Sequence, residues 1–338
     1  MENVLYLTQR YRPDLEATSK EVKLLSTHFK NSSIYDLHLD GYFKFKFKQN
    51  LVSHHFIYYP ISLIFLYFYT NNKVIHVYTN LCDRPYLPLF KSKNTIVSST
   101  NFIPKEKIIP RLHDLNSVKK IIIQSEVQKK ELLGAMVDKE KISIIYPPAD
   151  LKSFSYQKPS GDFTILCAST PAKVRDLEKR GIFLLLGIDH LLKGIKFKFL
   201  LRGIKSVEEK INSYKPKQFL IDDRIYPNMN EQYAQVHCTI IPYLRLDGYL
   251  KLIPTSAIES LAAGKPVLVS SQTGIVEIIK KEKCGVVFEP TTEGLLVAIK
   301  EIKKNYSAYQ ENCRKTAEKY FSQEKFLKKH EEIYQSLQ

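Results

Sequence analysis

The sequence predicts an α/β protein of two doubly wound parallel-sheet halves facing a cleft. Three observations predict it. Short apolar runs of strand length alternate with helical segments along the whole chain, which is the pattern of βαβ units. The alternation breaks once, at Pro147-Pro148 and the polar stretch Ala149–Gly161 with its Pro159-Ser160-Gly161, and then resumes. The 338 residues exceed what one ordinary core holds. The expected division is residues 1–155, residues 156–320, and a C-terminal helix at 321–338 that packs back on the first half. Ligands of such folds sit outside the carboxyl ends of the strands.

In the first half, Val4–Leu7 reads as a strand, followed by a helix near Ser19–Phe29 with Ser19 as its cap. A strand is expected at Ile34–Leu39. The run FIYYPISLIFLYFY (Phe56–Tyr69) is shorter than the roughly 20 residues of a spanning helix; it reads as a core helix, with a membrane-interface segment as the alternative. Strands follow at Lys73–Tyr78, Thr95–Ser98, Lys120–Gln124 and Ile142–Tyr146, with a helix at Val127–Ala135. In the second half, strands are expected at Phe163–Ala168, Lys198–Leu201, Gln218–Ile221, Cys238–Ile241, Val267–Ser270 and Gly285–Phe288. Helices fit Gly181–Leu192, Ser206–Ser213, Asn230–Val236 and Ser256–Ala263, with another starting at Thr273-Gly274 and a helical tail from Thr292 to Leu337.

Five dispersed cysteines (Cys82, Cys167, Cys238, Cys284, Cys313) form no CxxC, which points to reduced thiols and a cytoplasmic chain. The start, MENVLYLTQRYRP, lacks the features of a signal peptide. No metal-ligand spacing occurs among Cys and His. The net charge of +16 divides as 21 cations against 14 anions in residues 1–150 and 30 against 21 beyond. A basic surface so spread suits nucleotide phosphates or an anionic membrane face. Nucleic acid is a distant partner, because no helix-turn-helix, RNP or finger pattern is present.

The stretch KLIPTSAIESLAAGKPVLVSSQTGIVEII (Lys251–Ile279) carries the chemistry. Pro254 followed by Thr255 and Ser256 opens a helix, and a helix start is an anion site. Glu259 stands three residues beyond Ser256. One reading is the S-x-x-E capping box, which explains the carboxylate without a ligand; the other is a ligand-binding acid.

Ile258–Val267 (IESLAAGKPV), Gln272–Glu277 (QTGIVE) and Gly285–Pro290 (GVVFEP) closely resemble the C-terminal domain of retaining GT-B glycosyltransferases of the family 4 type. That family shows E-x7-E, then Ala-x-Ala-x-Gly-x-Pro-Val, then Gly-Gly-x-x-Glu. VKKIIIQSE and ISIIYPPAD resemble its strand–Ser-Glu and interdomain segments. The resemblance implies a GT-B fold and transfer of a sugar, with retention, from a nucleoside diphosphate sugar (UDP or GDP) to a hydroxyl of a glycan, a lipid-linked acceptor or a polymer such as a cell-surface polysaccharide. It implies no cofactor and no metal ion. Glu259 is then the ribose partner, and Thr255 and Ser256 lie at the diphosphate. Lys251 replaces the first Glu of E-x7-E, where a cation can neutralise the diphosphate or a charged sugar. Thr170–Gly181 occupies the place of the family's Gly-Arg…Lys-Gly loop. Arg180 matches the second cation, and Lys173, with Arg175 behind it, stands for the first. Arg202 ends the strand FKFLLRG, where it either reaches the nucleotide or caps the sheet. On the acceptor side, Leu15-Glu16-Ala17 replaces a Gly-Gly loop and Ser99-Thr100-Asn101 replaces a frequent His. The acceptor-side candidates are therefore Glu16, Asn101 and His76, the last of which also reads as a core histidine. Arg180 and Lys251 are the expected catalytic residues. The alternative is an inactive GT-B nucleotide- or glycan-binding protein or partner subunit. The expected place is the cytoplasm, peripheral on the inner membrane face.

Overall fold

The computed structural model describes residues 4–8, 11–13, 16–36, 47–48, 51–53, 73–78, 94–169, 171, 173–201, 205–222, 224, 226, 228–246, 250 and 252–337. Phe56–Tyr69, Cys82, Arg202 and Lys251 lie outside them. The chain forms two compact units: residues 1–147, 247–251 and 324–338, and residues 148–246 with 252–323.

The first unit is built on a sheet of β1 (Val4–Thr8), β2 (Ser32–Asp36), β3 (Phe47–Lys48), β4 (Leu51–Ser53), β5 (Val74–Tyr78), β6 (Thr95–Ser99), β7 (Lys120–Ile123) and β8 (Ile142–Ile144). Their order is β3-β4-β2-β1-β5-β6-β7-β8, parallel except at β3–β4. The inner strands VLYLT, VIHVY and TIVSS are buried at every position, as a parallel sheet covered on both faces requires. Alternate residues feed two cores. Leu5, Leu7, Ile75, Val77 and Val97 pack with Leu115 and Leu132, while Val4, Tyr6, Val74 and Ile96 pack with Val22 and Leu25. Among the described residues the helices are α1 (Ala17–His28), α2 (Lys105–Ile108), α3 (Leu112–Ser117) and α4 (Glu126–Gly134). Glu16, not Ser19, precedes α1; the Ser19 hydroxyl instead accepts the Arg12 N–H at 2.9 Å.

The second unit holds β9 (Phe163–Ala168), β10 (Ile195–Leu200), β11 (Phe219–Asp222), β12 (Cys238–Ile241), β13 (Val267–Ser270) and β14 (Gly285–Phe288). All are parallel, in the order β11-β10-β9-β12-β13-β14. The chain winds one way from β9 to β11 and the other way from β12 to β14, so the switch point lies between β9 and β12. Its helices are α5 (Asp176–Lys179), α6 (Ile182–Gly187), α7 (Lys205–Asn212), α8 (Asn230–Ala234), α9 (Thr255–Ala262), α10 (Val276–Glu282), α11 (Thr292–Lys304) and α12 (Tyr306–Tyr320). The helix expected over Gly181–Leu192 stops at Gly187 and continues as a single 3-10 turn at Asp189–Leu191.

Ala149–Gly161 is no loose linker. The Ala149 N–H bonds the Phe321 carbonyl at 2.7 Å, Arg314 Nη1 the Phe154 carbonyl at 2.9 Å, and Lys265 Nζ the Gln157 carbonyl at 2.6 Å. These bonds fasten the segment to the second unit, so the boundary falls at Pro147/Pro148 rather than after residue 155. Beyond α12 comes α13 (Gln323–Gln335), and residues 324–338 belong to the first unit. Phe326 and Tyr334 of α13 join the core of Val4, Tyr6 and Val22.

Candidate functional site in the second unit

Strand-to-helix turns at the carboxyl end of the second sheet carry Arg180 and lead into α9. Arg180 follows α5, just past the β9 end. Its Nη1 donates to Ser169 Oγ at 3.1 Å, while its Nε is buried with no hydrogen-bond partner among the described residues. The next residue fixes this placement. Gly181 has φ +69° and lies so close to β12 that a Cβ would sit 1.7 Å from the Pro242 carbonyl oxygen. Only glycine combines that conformation with that approach. The Leu244 N–H reaches the Lys179 carbonyl at 3.0 Å and closes the junction. The guanidinium charge acts on both flanking strands. Burial pushes the Cys167 thiol up to about 12 and raises the Tyr243 hydroxyl, and Arg180 opposes both shifts. Arg180 thus stands at the switch point.

The same end is tied to the turns before α9 and α10. Ser270 Oγ donates to the Tyr243 carbonyl at 2.6 Å, and the Gly274 N–H to the Leu252 carbonyl at 2.7 Å. Leu252, Ile253 and Pro254 then lead into α9. Pro254 precedes the first turn with φ −65° and ψ 132°, and no side chain of the described residues caps it. The Pro254 carbonyl accepts the N–H groups of Ala257 and Ile258. Thr255 and Ser256 are the first two helical residues, both half-buried, at the positive end of the helix dipole.

The capping-box reading of Ser256 and Glu259 is not realised. Ser256 lies inside the helix, where its hydroxyl cannot serve as the cap, and Glu259 Oε2 accepts a hydrogen bond from the Tyr233 hydroxyl at 3.0 Å. The same hydroxyl lies 3.2 Å from the Ser256 carbonyl. Tyr233 comes from α8, 26 residues away in sequence, and no local signal marks it. Ser169, which holds Arg180, also has no sequence signature.

Lys173 is exposed. Its backbone N–H bonds Asp176 Oδ2 at 3.0 Å, so the turn before α5 is ordered by Asp176 while the Lys173 side chain stays in solvent. Arg202 and Lys251 lie outside the described residues.

In the first unit, Glu16 opens α1 and Asn101 follows β6, both half-buried. The elements carrying them meet where the hydroxyls of Thr18 and Thr100 lie 3.4 Å apart. His76 does not join them and is corrected to a core residue. It is fully buried on β5, with Nδ1 2.7 Å from the Tyr334 hydroxyl and Nε2 2.7 Å from Ser98 Oγ. Burial holds its pKa well below the usual value. An apolar strand interior leaves it no surface to offer an acceptor. Among the described residues no group of three or more His, Cys, Asp or Glu could hold a metal ion, and no helix is long and apolar enough to cross a membrane.

No curated protein sequence matches the chain. Solved structures do. Sucrose-phosphate synthase from Thermosynechococcus elongatus is similar at 13% identity and TM-score 0.77 over 99% of both chains. The Anabaena protein Alr3699/HepE, solved in complex with UDP, is similar at 12% identity and TM-score 0.79 over 99% of this chain and 100% of that one. A glycosyltransferase from Rickettsia africae ESF-5 is similar at 15% identity and TM-score 0.76 over 99% and 98%. Residues 175–320, which carry Arg180, Tyr233 and Glu259, match the family model described as Glycosyl transferases group 1. The chain therefore has the GT-B fold, and its residues 175–320 are similar to the Glycosyl transferases group 1 model.

Proposed function

We propose that the protein is a retaining, metal-independent glycosyltransferase of the family 4 type, using a nucleoside diphosphate sugar, UDP- or GDP-linked, as donor. The observation that carries this is the buried Arg180 Nε, which has no partner among the described residues. A buried guanidinium donor is costly unless an anion completes it. The uncapped tip of α9 offers a second positive end in the same domain. Between them they suit a diphosphate, and Glu259 suits a ribose diol. The UDP complex of the Anabaena neighbour and the group 1 match support the same reading.

In the reaction, the bond from the sugar's anomeric carbon to the diphosphate oxygen breaks. The acceptor oxygen attacks from the same face, and its proton passes to the departing phosphate oxygen. Arg180, the α9 tip and Lys251 stabilise the leaving charge, which is where preorganised cations contribute most. Arg202 and Lys173 remain the further donor-side candidates, and Glu16 and Asn101 the acceptor-side candidates. The acceptor is a glycan or lipid-linked hydroxyl, and the net charge of +16 suits work at an anionic membrane face.

A thermal-shift panel of UDP-, GDP-, ADP- and CMP-sugars tests the donor, because a ligand that binds the native state raises the melting point. A UDP- or GDP-sugar is expected to raise it in the wild type and not in Arg180→Ala or Glu259→Ala. Equal shifts in all three proteins would refute the site. Product with inverted anomeric configuration would refute retention, and full activity in excess chelator supports independence from metal. Binding to liposomes that does not depend on anionic lipid would remove the membrane partner.

A further inference from the structure

We infer that Tyr233 is a positioning residue for the donor nucleotide, acting through Glu259 on the ribose; the inference rests on Glu259 being the ribose partner. The Tyr233 hydroxyl has one proton and two acceptors, Glu259 Oε2 at 3.0 Å and the Ser256 carbonyl at 3.2 Å. It therefore spans the first turn of α9, from the residue beside the helix tip to the acid three residues on. The ring is packed in the core. It is fully buried among Leu166, Leu200, Val236 and Ala263, with Phe154 edge-on at 5.9 Å.

A glutamate side chain at the surface samples many rotamers, and fixing it on binding costs affinity. A phenol held by the core removes that cost in advance. It also donates a charge-assisted hydrogen bond, which favours the carboxylate form that accepts from ribose hydroxyls. Tyr233 and Glu259 come from different helices, so the bond locks α8 against α9 and keeps the acid in register with the helix tip. The hydroxyl touches neither the diphosphate nor the sugar in this scheme, so its loss acts on binding and not on the chemical step.

The test measures UDP and GDP binding by calorimetry, and donor KM and kcat, in the wild type, Tyr233→Phe, Glu259→Ala and the double variant. Tyr233→Phe keeps the ring, and an unchanged melting point checks the fold. The loss of one hydrogen bond to a charged group predicts a Kd and KM about tenfold higher, with kcat within about twofold. Against Glu259→Ala the second substitution adds nothing. The 2′,3′-dideoxy analogue of the nucleotide that binds is insensitive to Tyr233→Phe, a result that general damage to the domain would not give. An equal penalty in the Glu259→Ala background, an equal penalty on the dideoxy analogue, or a lower kcat at constant KM would overturn the inference. So would wild-type affinity in Tyr233→Phe, with the proposed function left standing. Failure of the wild type to bind either nucleotide overturns both.

Discussion

Replacing Gly181 by alanine tests whether the junction between α5 and β12 fixes the site. The new methyl would lie 1.7 Å from the Pro242 carbonyl oxygen and 2.7 Å from its carbon, both backbone atoms. Ordinary carbon contacts are about 3.5 Å, so the end of β12 must retreat by well over about 1 Å. The retreat breaks the Leu244–Lys179 bond and moves Arg180 away from Ser169. The left-handed conformation at +69° costs alanine about 1–2 kcal/mol, and forced overpacking adds about 1–3. The expected loss is about 2–5 kcal/mol, a large part of the stability of an ordinary domain. Urea unfolding followed by circular dichroism reads it as a lower midpoint at constant slope. Gly187→Ala is the control. That glycine ends α6 with no atom within 4 Å of a new methyl, so alanine there is neutral or stabilises by up to about 1 kcal/mol. A Gly181→Ala loss below about 1 kcal/mol, with nucleotide binding intact, would refute the argument.

Two further predictions concern the first unit. Met136 ends the α4 turn at φ +65° with its side chain 79% exposed, and the Val137 N–H reaches back to the Leu132 carbonyl. Glycine is the natural occupant of that position, so Met136→Gly should raise stability by about 1 kcal/mol; a lower melting temperature would show that the Met136 side chain contributes more than its strain. His330 is fully buried on α13 and held at about 4 by burial, beside His76, which is depressed in the same way. The unfolded chain, with a histidine pKa of about 6.5, takes up protons first as pH falls, so stability drops below pH 6.5 and levels off near 4. His330 alone accounts for about 2 kcal/mol between pH 7 and 5. His330→Phe should flatten the urea midpoint over that range by that amount, and an unchanged pH slope would contradict it.

The strands were the most legible part of the fold. FTILCA, CTII, VLVS and GVVF occur at the bounds that their apolar runs predict, because a parallel strand buried on both faces needs an unbroken apolar sequence. The domain boundary was misread because Ala149–Gly161 is polar in composition yet uses backbone carbonyls to bind Arg314 and Lys265, and backbone groups leave no mark in sequence. Helix α6 ended early at Gly187, where local propensity fell. At the site, the motif around Glu259 was legible, and its companions were not. Tyr233 and Ser169 reach Glu259 and Arg180 across 26 and 11 residues, through contacts that only the folded sheet creates. His76 was legible as a histidine on an apolar strand, and its partner Tyr334 lies 258 residues downstream.

The last helix has a consequence for how the chain is made. Tyr334 stands 3.3 Å from Tyr6, at a separation of 328 residues. A ribosome must therefore add the 328 residues that separate them before β1 meets this neighbour. Residues 148–323 leave the exit tunnel with most of their own partners already translated, so the middle of the chain is free to mature first. The amino-terminal sheet waits longest, with an apolar flank bare, and that interval is when a chaperone would find it.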